Sequence, residues 1–380
     1  MKFIVNSQAF FKQLQSISGV LTTSNTVPII NCFHFHLDEN KLTVKATDLE
    51  TTFITSIEVE TGGAVKGRTD VAVQGKLLMD ILKNLDDRPI TMTIDDATRA
   101  IEIVSGEGHY RLAGEDPETY PSLPEVTNTV QVSLPASAWV SAINKTAFAT
   151  STDEMRPQMC GIYCELTPDG ATFVSTDSHK MVRFIRKDIR CEESTNFILP
   201  KKPIMLVKNA LSANLEERDV TLEYNNTNVV FHFGSSSIYC RLVDGQYPNY
   251  SAAIPKENPN RLTIDRQSLL SALRRVVLFA SQATHQVRLS VRETELTIST
   301  EDIEFSNGAN EKLPCSYEGE PMEIGFNAKF LSDMVSNLDS ENILITLSHP
   351  SRAGIIFPVD DNPDNPEDIL MLVMPVMLAN

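Results

Sequence analysis

One pattern occurs three times along this chain, and a repeat of that size constrains the fold more firmly than any local propensity. Each copy opens with an apolar helical stripe: Phe10, Leu14, Ile17 and Leu21; then Val140, Ile143 and Ala147; then Leu269, Leu273, Val276 and Ala280. Spacings of three and four residues place each set on one helix face. Helix-start residues stand where caps belong, at Asn6-Ser7, at Pro135 with Ser137, and at Asp265. Alternating strands follow. Phe33, Phe35 and Leu37 alternate with His34 and His36, and the later copies give Ile162-Tyr163-Cys164 and Val287 to Val291. A second helix then appears at 75–85, 201–212 and 327–338, each leading into a strand of period two at 90–94, 220–224 and 343–347. The first helices start near 6, 136 and 266 and the second near 75, 201 and 327, so two independent markers agree on the period.

The reading is three α+β domains at 1–124, 125–253 and 254–380, each with two helices packed on antiparallel sheets of roughly eight strands in all. Proline-rich connections at 115–126 and 244–259 join them. Three large units, each with its own core, are compatible with beads on a string. They are equally compatible with a closed ring whose sheets join edge to edge, an arrangement that hides strand edges otherwise open to aggregation.

The 380 residues carry a formal net charge of −17, which taken alone argues against nucleic-acid binding. Its distribution reverses that argument. The helical segments 6–18, 74–84, 136–148, 201–213, 266–281 and 327–337 hold eleven basic residues against Asp80 and Asp333, a net of +9 that leaves −26 for the rest. A basic helical layer on an acidic protein suits loose, sequence-independent contact with phosphates. The other reading is that these lysines only solvate helix faces.

Several function classes fall away. The phosphate-binding GxxxxGK[ST], the dinucleotide GxGxxG, the zinc-protease HExxH and the hydrolase GxSxG are all missing from the sequence. His179 follows Asp177 and Ser178, but adjacent residues seldom converge on one centre, so no enzymatic activity is expected. The six cysteines form no CxxC pair, and Cys160 with Cys164 lacks a second half-site, so no metal and no cofactor are expected. The opening MKFIVNSQAFF has neither the apolar run nor the cleavage site of a signal peptide, and Ile369 to Ala379 is too short to span a bilayer. A soluble, cytoplasmic protein is expected.

Five segments in order resemble the bacterial DNA polymerase III beta subunit family of sliding clamps, and the resemblance runs from Met1 to Leu378. They are the opening 1–21 with VPII at 27–30 and TDLE at 47–50; STDSHKMV at 175–182; RLVDGQYPNY at 241–250; MEIGFNAKFL at 322–331; and LVMPVML at 372–378. The family fold implies a head-to-tail homodimeric ring, two subunits of three domains each, with helices lining the hole. The family's function implies a processivity factor for DNA replication: a ring that encircles duplex DNA, slides, and tethers the replicative polymerase, the clamp loader and repair proteins through short peptide motifs. A peptide-binding scaffold that never meets DNA is the alternative.

Carried over motif by motif, the resemblance assigns the peptide pocket to Met159, Thr176, Ser178, His179, Lys180 and Met181, to Pro248 and Ala253, and to Leu372, Val373, Met374, Pro375, Val376, Met377 and Leu378. Methionine and aliphatic side chains make an adaptable cleft that suits several partners. The DNA-facing candidates are Lys12, Lys76, Lys83, Lys145, Arg156, Lys201, Lys202, Lys208, Arg274, Arg275 and Lys329. The dimer interface would set Tyr110 and Leu112 against Leu278 and Phe279, with Glu301, Asp302 and Glu304 available to basic groups opposite. The sequence departs from the family pattern at Ser178 for glycine, at Lys180, Ala252 and Met377 for arginines, at Ser24 for a loop arginine, and in the extra Ala379-Asn380.

Overall fold

The computed structural model describes residues 1–380 except 25, 63–68, 213–218, 303, 360, 361, 363, 379 and 380. Among the described residues six α-helices stand near the expected positions: α1 Ser7–Ser18, α2 Gly75–Lys83, α3 Ala136–Thr146, α4 Lys201–Leu211, α5 Arg266–Val276 and α6 Ala328–Ser336, so that the stripe residues Leu21, Ala147 and Ala280 fall just past the helix ends. The stripe residues Phe10, Leu14, Ile17, Leu269, Leu273 and Val276 are almost fully buried, which is the main reason these short helices hold. The expected caps act at two of the three first helices. Asn6 accepts the Ala9 amide at 2.9 Å and Asp265 the Ser268 amide at 2.7 Å. Asn327 caps α6 in the same way. Residue 213, counted above with α4, and residues 379 and 380 lie outside the described residues.

The strands are antiparallel and form four sheets. A four-stranded sheet runs Lys2–Asn6, Pro89–Ile94, Ile101–Ser105, Gly108–Leu112. A nine-stranded sheet runs Val130–Pro135, Asp219–Tyr224, Asn228–Phe233, Ser236–Arg241, Thr51–Glu58, Lys41–Thr47, Cys32–Asp38, Asp70–Gln74, Gly114–Glu115. A second nine-stranded sheet runs Thr195–Pro200, Gly161–Thr167, Gly170–Thr176, Lys180–Arg186, Glu367–Val373, Gly354–Pro358, Asn342–Leu347, Asn260–Asp265, Ser316–Glu318. The last, four-stranded, runs Asn307–Pro314, Glu295–Asp302, Gln286–Arg292, Met322–Asn327.

The nine-stranded sheets are built across the sequence repeats. Ser236–Arg241 of the second repeat pairs with Thr51–Glu58 of the first, and Glu367–Val373 of the third pairs with Lys180–Arg186 of the second. The chain accordingly divides into two compact units, one of Met1–Val140 with Lys202–Leu242 and one of Ser141–Lys201 with Val243–Asn380. The first holds the first nine-stranded sheet and the sheet of Lys2–Asn6; the second holds the other two sheets.

The four-stranded sheets each cover one outer strand and leave the other bare. Lys2–Asn6 gains a bridge between Ile4 and Glu60, and Met322–Asn327 gains one between Gly325 and Val376. Gly108–Leu112 and Asn307–Pro314 have no further strand beyond them among the described residues. Their exposure fits bare edges: His109, Tyr110 and Arg111 are consecutively exposed, and no residue of Asn307–Pro314 is buried.

Candidate functional site

The apolar cluster that borders the candidate cleft lies in the second unit, on one face of the second nine-stranded sheet. Alternation along the strands delivers Val174, Met181, Ile198, Ile355, Leu370 and Leu372 to that face. Tyr247, from the connection after the second repeat, lies down on this floor, and Tyr163, Tyr250 and Phe357 flank it. The Tyr163 and Tyr247 rings stack at 5.0 Å and 21°. Burial pushes the Tyr163 phenol up to about 12 and raises Tyr247 as well, so both stay neutral and serve as apolar walls.

One edge of the cleft is the turn between strands Gly170–Thr176 and Lys180–Arg186. Asp177 Oδ1 accepts the His179 and Lys180 amides at 2.9 and 2.8 Å, and Thr176 Oγ1 donates to the Lys180 carbonyl at 2.7 Å. This network holds Ser178 at φ +77, the left-handed conformation that glycine adopts most readily. The C-terminal segment forms the next edge. Met374 donates its amide to the His179 carbonyl at 2.8 Å, and Val376 donates to the Gly325 carbonyl at 2.8 Å. A Cβ on Gly325 would sit 2.5 Å from the Val376 carbonyl oxygen, so only glycine lets the tail lie this close. With its backbone fixed, the segment turns Met374 and Met377 outward at 41% and 75% exposure.

The residues expected to form a pocket differ in burial. Thr176, Met181 and Leu372 are buried on the face of this cluster, Val373 is buried on the opposite face of the sheet across from Lys180, Met159 and Val376 are half-buried, and Ser178, His179, Pro248 and Ala253 are exposed. Lys180 is buried and paired with Asp333 and Asp177. Arg156, expected among the phosphate-facing cations, reaches the turn at Ser178: its Nη1 donates to Ser178 Oγ at 2.7 Å and its Nε to Asp153 Oδ2 at 2.9 Å. Tyr163, Tyr247 and Phe330 were not among the expected residues. The signal for the first was strand alternation and for the second its place beside Pro248; nothing in the local pattern of α6 marks Phe330.

The other basic candidates divide in two. Lys12, Lys76, Lys83, Lys201, Lys208, Arg274 and Lys329 have no carboxylate within ion-pair distance among the described residues. Lys145 pairs with Asp339, Lys202 pairs with Asp48, and Arg275 holds Glu311 with two bonds of 2.7 and 2.5 Å. Glu311 is held below the usual carboxylate range by that guanidinium.

Of the interface candidates, Leu278 and Phe279 are 74% and 44% exposed in a short 3-10 turn after α5, so they do not fill their own core. Tyr110 is partly exposed on the bare strand Gly108–Leu112, while Leu112 is buried. Beside that strand is a hollow of about 480 Å³ lined by Pro28, Ile29, Leu77, Arg111 and Leu112 among others.

Family models for the DNA polymerase III beta subunit match three stretches: the N-terminal domain at 1–124, the central domain at 133–249 and the C-terminal domain at 251–376. The chain belongs to the DNA polymerase III beta subunit family. Beta sliding clamps of Synechococcus elongatus and Vibrio cholerae are each 28% identical to it over the full length of both chains. The crystal structure of a sliding clamp from Bartonella birtlesii bound to griselimycin is 30% identical, covers all of both chains and superposes with a TM-score of 0.90. Family membership accounts for the strand seams between repeats, since each of the three family domains here shares a sheet with its neighbour in sequence. No helix among the described residues is long and apolar enough to cross a membrane.

Proposed function

We propose that two copies of this chain close head to tail into a ring around duplex DNA and that the ring slides, tethering a polymerase and other partners by short peptides docked in the cleft of the second unit. The observation that carries this reading is the pair of bare strand edges. Gly108–Leu112 belongs to the first repeat and Asn307–Pro314 to the third, so pairing one with the other's copy adds a third type of seam to the two within the chain. Leu278 and Phe279, close in sequence to the α5 residue that grips Glu311 on Asn307–Pro314, would enter the partner's hollow beside Tyr110 and Leu112. Three domains, at 1–124, 125–253 and 254–380, then each supply two helices to the inside of the ring.

The unpaired helix cations favour loose phosphate contact. Lys145, Lys202 and Arg275 face DNA only by exchanging their carboxylate partners for phosphates. The cleft, with an apolar floor and exposed methionines, suits the peptide motifs of polymerase, loader and repair proteins. The protein is non-catalytic, needs no cofactor and works in the cytoplasm, where the chromosome is.

Loading onto a nicked DNA circle by its clamp loader, followed by a wash and a single cut of the circle, tests the reading. Retention on the circle and release after the cut is the expected result. Equal retention on circular and linear DNA, or none on either, refutes topological linkage.

A further inference from the structure

We infer that Lys180 is a positioning residue of the peptide cleft: it acts through Asp333 and Phe330 to hold the His179 ring in place, and does not itself touch a docked peptide. The inference rests on the peptide-docking reading above.

The side chain of Lys180 is only 8% exposed, so little of it is available to a ligand. Its ammonium is fully engaged. Nζ lies 3.1 Å from Asp333 Oδ2, 3.6 Å from Asp177 Oδ2 and 4.8 Å from the centroid of the Phe330 ring. The other side of that environment is His179, whose ring stacks on Phe330 at 5.9 Å and 20°. Phe330 and Asp333 are on α6 of the third repeat, His179 is on the turn of the second, and Lys180 opens the strand that follows it. The ammonium thus pins one helix to one turn, and the aromatic pair at the cleft rim is the result.

The repeat supplies an internal comparison. The first repeat has the same turn: Asp48 Oδ1 accepts the Glu50 and Thr51 amides, Leu49 sits at φ +81, and Thr47 Oγ1 bonds to the Thr51 carbonyl. That turn too is bridged to the second helix of the following repeat, by Lys202 of α4 on Asp48. There the helix supplies the cation and the turn the carboxylate. At the cleft the polarity is reversed, and the lysine is the buried member. An ammonium–carboxylate clasp between turn and helix is therefore a recurrent part of these seams, which argues that Lys180 belongs to the scaffold. The first seam carries an aromatic pair too, Phe53 with Phe233, but between strands; at the cleft seam the pair is between the turn and the helix that the clasp joins.

The test uses full-length protein and the variants Lys180→Met, Asp333→Asn, their combination, and Lys180→Arg. Two readouts are taken: the ring-current shift of the His179 ring protons in histidine-labelled free protein, and the affinity for griselimycin. Lys180→Met and Asp333→Asn should each lose the His179 shift and weaken griselimycin by about tenfold, the factor expected if the binding-ready arrangement falls to about a tenth of the population. The combination should be no worse than either alone, and Lys180→Arg should restore both readouts. Direct contact with the ligand predicts instead that Lys180→Met weakens binding while Asp333→Asn does not, with additive effects, and that result overturns the inference. An unchanged His179 shift in both single variants also overturns it. Failure of the underlying docking reading looks different: Leu372→Ala and Met374→Ala would leave griselimycin affinity untouched.

Discussion

His34 and Tyr163 occupy one position in two copies of the repeat and do different things there. Each stands opposite the strand that precedes the second helix, His34 across from Ala72 and Tyr163 across from Ile198. Each also packs against a tyrosine from the following connection, His34 on Tyr120 at 5.1 Å and Tyr163 on Tyr247 at 5.0 Å. In the first repeat the surroundings are polar. Lys45 reaches over the Tyr120 ring and donates to the Pro121 carbonyl at 3.3 Å, and His34 Nε2 lies 3.3 Å from Asp70. Burial, followed by the Lys45 charge, lowers the His34 pKa from 6.5 to about 4, against the opposing pull of Asp70. A base whose folded pKa is depressed stays neutral in the fold while the unfolded chain takes up a proton. Stability is therefore undiminished above about pH 6.5 and falls as pH drops from there toward 4. The loss from His34 should reach about 1–2 kcal/mol at pH 5, allowing for screening by the water it still meets. His34→Tyr, which copies the second repeat, should remove that component. Denaturant unfolding of both proteins between pH 7.5 and 5 measures it, and parallel pH profiles would sink the assignment.

At the scale of elements, the two kinds of seam differ in how they should respond to concentration. The pairings of Ser236–Arg241 with Thr51–Glu58 and of Lys180–Arg186 with Glu367–Val373 lie within one chain and should protect their amides at any dilution. In the proposed ring, Gly108–Leu112 and Asn307–Pro314 find partners only in a second copy. Their amides should exchange slowly at micromolar protein and lose protection together as the protein is diluted. Hydrogen exchange read by mass spectrometry distinguishes the cases, and fast exchange of both edges at every concentration would contradict edge pairing. The same contrast explains what the sequence makes legible. Helix stripes and strand alternation report which side of an element is buried, so Phe10, Leu14, Phe33 and Phe35 are readable as core from periodicity alone. Alternation carries no record of which strand lies alongside. The two nine-stranded sheets, and the division into units that cuts through the second repeat, therefore follow only from the pairing registers. The cleft was legible where a backbone demand writes a motif, as in Thr176 to Lys180 and the tail at Gly325. It was not legible at Phe330 or in the reach of Arg156 to Ser178, because these depend on the approach of distant segments.

For the whole molecule, the decisive property is closure. A sliding ring needs little affinity for DNA, because linkage does the holding, but it needs an interface that outlasts the work done on it. In the proposed ring, the exposed pair Leu278 and Phe279 is the apolar part of that interface on the third repeat. Full burial of one such side chain is worth about 1.5–3 kcal/mol, and a carboxylate in its place adds a desolvation cost. Leu278→Asp combined with Phe279→Asp should therefore weaken each of the ring's two interfaces by about 3–5 kcal/mol, and so raise the Kd of the dimer by more than about two to four decades. Because both side chains are largely outside their own core, the unfolding midpoint of the isolated chain should move little. Three measurements then separate closure from affinity. Sedimentation should report a monomer, binding of a peptide to the proposed cleft should be unchanged because that cleft lies wholly in the second unit, and retention on circular DNA should vanish. A variant that is monomeric yet still held on circles would mean that the basic helices bind DNA by charge alone. One that stays dimeric would place the interface on some surface other than the two bare edges.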